Sequence, residues 1–132
     1  MIAALSLTLI ACTDVEINYA PEVEVSFLRI NSEIKMFRVL CKRYPQNLEE
    51  LNNLTTSCQK WQQREEAEKV KITDYWGRSY YYAFPKKHKG SPHGYDLHSY
   101  GEDGVANTTD DINTWMDQSI WQKYYRDKPL GT

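Results

Sequence analysis

From Pro21 onward the apolar positions keep one register. Val23, Phe27, Ile30, Ile34, Phe37 and Cys41 recur at alternating steps of four and three. That spacing lays a single apolar stripe along an α-helix. Glu22, Glu24, Arg29, Glu33, Lys35 and Arg38 fall mostly off the stripe. Acid near the start and Lys42 and Arg43 near the end suit the helix dipole. The helix is expected to stop before Pro45, because a residue preceding proline disfavours the α region. In "YPQNLEELNNL" Asn47 is placed to cap a short second helix, with Glu50 at the capping-box position. Leu48, Leu51 and Leu54 would face inward. "TTSCQKWQQREEAEKVK" reads as a charged loop with one helical turn, and Lys60 to Lys71 as a solvated excursion without a site.

The period then changes. "RSYYYAF", Arg78 to Phe84, is rich in β-forming aromatics and ends at Pro85. "KKHKGSPHG" supplies a turn, and "YDLHSY", Tyr95 to Tyr100, alternates as a strand does. The two runs predict an antiparallel hairpin. Ile112 to Trp115 predicts a short third strand. Ile120, Trp121, Tyr124 and Tyr125 have helical spacing and predict a short terminal helix; the aromatic tail, Trp115, Trp121, Tyr124 and Tyr125, is either a contact surface or packed on the sheet. The expected class is α+β: a long N-terminal α-helix packed on a small antiparallel β-sheet.

The chain of 132 residues fits one domain, and 41% hydrophobic residues suffice for one core. Four Trp, ten Tyr and three Phe supply much of that core, since each aromatic ring buries a large area. The formal net charge is −2, which offers nucleic-acid phosphates no basic surface and argues against nucleic acid as a partner.

The first residues differ in kind. "MIAALSLTLIAC" is apolar or small and carries no charged side chain. As a helix it would reach roughly 18 Å, short of a hydrocarbon core of ~30 Å, and fits the apolar part of a secretory signal. Leu9-Ile10-Ala11-Cys12 resembles the lipobox of bacterial lipoproteins. That resemblance implies cleavage before Cys12 and a lipid on it, hence a membrane anchor facing the periplasm. Thr13 in place of Asp after Cys12 favours the outer membrane by analogy. The expected organisation is a signal over 1–11, a tether over 12–21 and a globular domain over 22–132. With Cys12 lipidated, Cys41 and Cys58 remain. They are either a disulfide, permitted by an oxidising compartment, or two buried thiols. A bridge would close a loop of about 17 residues, worth roughly 3 kcal/mol.

One stretch buries almost nothing. "YGEDGVANTTDD", Tyr100 to Asp111, gathers Glu102, Asp103, Asp110 and Asp111 around Gly101 and Gly104. Like charges held close repel. From the residues alone two readings stand: a solvated acidic loop, or a site for a hard cation bound by carboxylate and carbonyl oxygens. The spacing is not that of an EF-hand.

Four elements together resemble a known family. "RYPQNLEEL" resembles the Tyr-Pro element after the long helix of type II secretion pseudopilins. "DYWGRSYYY" resembles their Asp-Pro-Trp-Gly-x-x-Tyr-x-Tyr element, through Asp74, Trp76, Gly77, Tyr80 and Tyr82, with Tyr75 where the family has proline. "HGYDLHSYGEDG", one residue shorter than the usual pattern, resembles the segment ending in Asp-Gly, and "DDINTW" resembles the Asp-Ile-x-x-Trp close. Order and spacing are similar to the major pseudopilin, the G subunit, from Val23 to Trp115. The resemblance implies a pseudopilin-like fold, secretion-machinery or envelope partners and a calcium site in the acidic loop. Its side-chain ligands would be Asp103, Asp110 and Asp111, with carbonyls near Tyr100, Glu102 and Thr108. The chain runs past Trp115 farther than is usual in the family. A prepilin-peptidase site and its long apolar helix are not recognisable before Val23. The reading is therefore a calcium-binding, lipid-anchored module, with a true pseudopilus subunit starting upstream as the alternative.

Enzymatic chemistry finds no support. His88, His93 and His98 are five residues apart. Within one strand that odd spacing puts His93 and His98 on opposite faces, with His98 on the sheet surface. Asp74 and Asp96 read as structural carboxylates beside turns. A metal-dependent enzyme, the remote alternative, would need a general base beside the acidic loop.

Overall fold

The structure is a computed structural model and describes residues 21–53, 55–64 and 69–127. The expected signal over 1–11, Cys12, most of the tether and Leu54 lie outside the described residues. Helix α1 spans Pro21–Cys41. Pro21, placed at the end of the tether, is its first residue, where a missing N–H costs nothing. The expected stripe is buried: Val23, Phe27, Ile30, Ile34 and Phe37 are each no more than 4% exposed. Past Cys41 the chain turns at Lys42, which has φ 63° and donates its N–H to the Arg38 carbonyl. No helix among the described residues is long and apolar enough to cross a membrane.

The next segment forms a 3₁₀ turn over Leu48–Asn52 rather than an α-helix. Asn47 caps it, accepting the Glu50 N–H at 3.0 Å. Glu50 does not complete a capping box on Asn47. Its carboxylate accepts from the Gln46 N–H at 2.8 Å and takes both arms of the Arg43 guanidinium, at 3.1 and 2.6 Å. Hydrogen bonding from Arg43 holds the Glu50 carboxyl below its ordinary range, with burial opposing it.

Helix α2, Gln59–Gln62, is the single turn expected, but it is not merely solvated. Trp61 is buried, lies 5.1 Å from the Phe37 ring and donates its indole N–H to the Leu51 carbonyl. Arg64 covers the exposed side of the same ring, 3.6 Å from its centroid. Val70, also inside the supposed excursion, joins the core. A Cys41–Cys58 disulfide ties α2 to the end of α1, with Cα atoms 5.5 Å apart.

Strands β1 (Tyr81–Ala83), β2 (Asp96–Ser99) and β3 (Ile112–Asn113) make one antiparallel sheet in that order. Tyr82 pairs with Leu97, and Ser99 with Ile112. Each strand is shorter than expected, because the flanking residues turn away to build loops. All four residues of β2 are buried. Leu97 and Tyr95 face α1, where the Tyr95 hydroxyl bonds the Asn31 side chain. Asp96 and His98 alternate to the other face. Asp96 accepts the Lys87 and His88 N–H groups at 2.8 and 3.1 Å, the structural role expected. His98 is not on the surface: it is 5% exposed, with Trp115 and Tyr100 edge-on to its ring.

Helix α3, Gln118–Asp127, closes the domain. Trp121 and Tyr125 are buried; Ile120, on the other side, is 56% exposed. Of the two readings of the aromatic tail, these two residues follow packing, but against α1 and the Trp76 turn rather than on the sheet. Trp121 lies 5.7 Å from Phe27 of α1, and Tyr125 lies 5.6 Å from Trp76.

Candidate metal-binding loop

Between β2 and β3 the chain must leave the sheet and return within a dozen residues. Three residues of the loop adopt positive φ: Gly101 (75°), Gly104 (71°) and Asn107 (67°). Glycine and asparagine tolerate that region best. At Gly101 there is also no room for a side chain. A Cβ there would stand 2.4 Å from the Asp110 carbonyl oxygen. The two ends of the loop therefore touch, backbone to backbone.

Three groups outside the loop hold it. The Arg78 guanidinium donates to the carbonyls of Gly101 (2.8 Å) and Glu102 (3.1 Å). The Ser99 hydroxyl accepts the Gly101 N–H at 3.2 Å and donates to Asp74 Oδ2 at 2.8 Å. Asp74 Oδ1 in turn accepts the Trp76 and Arg78 N–H groups, the turn-forming role its sequence context predicts. On the far side, the Tyr125 hydroxyl donates to the Asp110 carbonyl at 2.6 Å. Burial raises the Tyr125 phenol well above its usual range, and the nearby Asp110 charge adds to this, so the hydroxyl keeps its proton.

Inside the loop the carboxylates converge. Asp103, Asp110 and Asp111 each bring one oxygen within 4.8 Å of the others. Asp110 and Asp111 are both only 4% exposed. Like charges held this close repel, most strongly for the buried Asp110 and Asp111. Backbone and side-chain donors offset part of this. Asp110 Oδ2 accepts the Asp103 N–H at 2.8 Å, and Asp111 Oδ2 accepts the Asn107 N–H and meets His98 Nε2, both at 2.6 Å. The Val105 N–H, together with the Thr108 hydroxyl, keeps the Asp103 carboxyl below its ordinary value.

The Thr108 hydroxyl sits at the centre. Its oxygen lies 3.2, 2.6 and 3.0 Å from the Oδ1 atoms of Asp103, Asp110 and Asp111, and 3.0 Å from the Val105 carbonyl. One hydroxyl proton can answer only one of these four acceptors. The cluster thus has more lone pairs than protons. Hard oxygens drawn from carboxylates and a carbonyl are the donor set that calcium takes. The residues present fit the ion.

The structure thus brings together the three expected carboxylates. Thr108 joins them through its hydroxyl, while its carbonyl accepts the Asp111 N–H at 3.2 Å. The Glu102 carbonyl faces Arg78, and the Tyr100 ring meets His98. Sequence reasoning missed Val105, Arg78 and Tyr125. A carbonyl leaves no mark in a sequence. Arg78 and Tyr125 reach the loop only through tertiary folding, over 23 and 15 residues. The histidines stay apart: His88 stacks on Trp115, and His93 on Tyr95.

Residues 18–115 match the family described as Type II secretion system (T2SS), protein G. Among solved structures, the chain is similar to the major pseudopilin from the type 2 secretion system of enterohaemorrhagic Escherichia coli. The two are 29% identical with a TM-score of 0.50, over 72% of this chain and 84% of that one. No curated protein matches the chain. Helix α3 lies beyond the residues that the family match covers.

Proposed function

The chain belongs to the type II secretion system protein G family, and from that premise we propose that it is a calcium-stabilised, lipid-anchored pseudopilin-like module of the cell envelope. Its role is structural: it presents a rigid domain to other parts of the secretion machinery. The observation that carries the calcium reading is the convergence of Asp103, Asp110, Asp111 and the Val105 carbonyl on one hydroxyl. When bound, calcium would supply the positive charge that these oxygens lack. Asp103 and the Asp110–Asp111 pair would hold it, from the two ends of the loop. Arg78 and Ser99 fix the first end, so the loop needs little reordering. The anchor reading rests on Leu9-Ile10-Ala11-Cys12, which matches a lipobox in its leucine, its small residue and its cysteine. A tether of several residues between Cys12 and Pro21 leaves the domain close to the bilayer.

Calorimetric titration tests the calcium part. Calcium added to metal-free protein is expected to fill one site per chain. Magnesium is expected to bind more weakly, because it demands a tight octahedral shell and dehydrates reluctantly. Absence of calcium heat at millimolar ion would rule the reading out. The intact mass of protein extracted from membranes tests the anchor. The expected species begins at Cys12 and carries acyl mass that Cys12→Ser abolishes; an unmodified Cys12 would refute it.

A further inference from the structure

The Asp110 peptide is gripped from both sides. Gly101 leaves no gap on one side, where a Cβ would stand 2.4 Å from the Asp110 carbonyl oxygen. On the other, that same oxygen accepts the Tyr125 hydroxyl at 2.6 Å in a buried contact. Asp110 places one carboxylate oxygen in the acidic cluster and the other on the Asp103 N–H. Anchoring that carbonyl restrains the backbone from which the carboxylate projects into the cluster. Tyr125 is itself held by Trp76 on one side and by its helix on the other. That helix is fastened to α1 at a distance from the loop, by Trp121 on Phe27 and by Gln122 Nε2 donating to Glu24 Oε2 at 2.5 Å.

We infer that Tyr125 is a positioning residue for cation binding, and that through it α3 sets the affinity of the acidic loop. This rests on the calcium reading given above and adds the element that tunes it. The physical link is preorganisation. A loop whose Asp110 carbonyl is already bonded pays little ordering entropy when the ion arrives. Linkage makes the effect reciprocal: an ion that prefers the ordered loop must also strengthen the docking of α3. Because α3 follows the residues that the family match covers, this control lies outside that match.

The test uses the full chain and calcium alone as the probe. Tyr125→Phe keeps the ring and removes the hydroxyl. Calorimetry is expected to show its calcium dissociation constant raised about three- to tenfold, the weight of one hydrogen bond. Gln122→Ala loosens α3 where it meets α1 instead. It is expected to lower the melting temperature slightly and to raise the dissociation constant by clearly less than Tyr125→Phe does, since it loosens the docking of α3 without removing the bond to Asp110. In the wild type, calcium is expected to slow amide hydrogen exchange along α3, and Tyr125→Phe to remove that response. Equal calcium affinity in Tyr125→Phe and wild type would overturn the inference while leaving the calcium reading intact. So would an equal weakening by Gln122→Ala, which would mean general loosening rather than positioning. A wild type that binds no calcium would end both.

Discussion

Trp121→Ala is expected to destabilise the domain by about 3–5 kcal/mol, the usual cost of truncating a large aromatic in a well-packed core. Trp121 is 2% exposed and sits edge-on to Phe27, whose own ring meets Tyr80 of the segment leading into β1. The indole therefore joins α3 to α1, at the point where Phe27 meets the segment leading into β1. Alanine would leave a cavity at that junction, and collapse around it is limited because α1 is pinned at its other end by the Cys41–Cys58 bridge. The contrast lies one residue away. Ile120 is 56% exposed, and Ile120→Ala is expected to change stability by no more than about 0.5 kcal/mol. Urea unfolding of the two variants measures both values. Similar small effects from both would mean that α3 is an appendage and that the core ends near Trp115.

The helical part of the fold was legible because its physics is local. The stripe from Val23 to Cys41 needs only the helical period, and its positions from Val23 to Phe37 are buried, with Cys41 partly so. Asn47 was legible as a cap because capping acts over three residues. Where reasoning from sequence fell short, a distant partner decided the outcome. Trp61 stands among Gln, Lys, Arg and Glu, and nothing nearby says that Phe37 and Leu51 will cover it. His98 follows the alternation of β2 to the outer face, but Trp115 and Asp111 return from later in the chain to bury it. The strands came out short for a related reason: Tyr95 and Tyr100 continue the apolar pattern of β2 but not its pairing.

The loop shows the same division. Its acidity, its glycines and its place between two strands were visible at once. The three carboxylates do meet. Which oxygens complete the cluster was not readable, because hydroxyl and carbonyl directions follow from backbone angles such as φ 67° at Asn107. The two ends of the loop are locked by Arg78 and Tyr125, and neither residue has a neighbour in sequence that points to the loop.

The second large effect is that of the ion itself, and it is the most direct test of the account. Calcium at a hundred times its dissociation constant is expected to stabilise the wild type by about 2.7 kcal/mol. For a domain of this size that is a rise in melting temperature on the order of 10 °C. Asp110→Ala removes a cluster oxygen and the acceptor for the Asp103 N–H, while its backbone carbonyl remains for Tyr125. The variant is expected to fold and to lose most of the calcium-dependent rise. The measurement is a set of thermal melts of wild type and Asp110→Ala with calcium, with magnesium and with chelator. A large rise is expected for wild type in calcium, a smaller one in magnesium and almost none for the variant. Identical melts in calcium and chelator would contradict the calcium reading, leaving the acidic loop a solvated connection between β2 and β3.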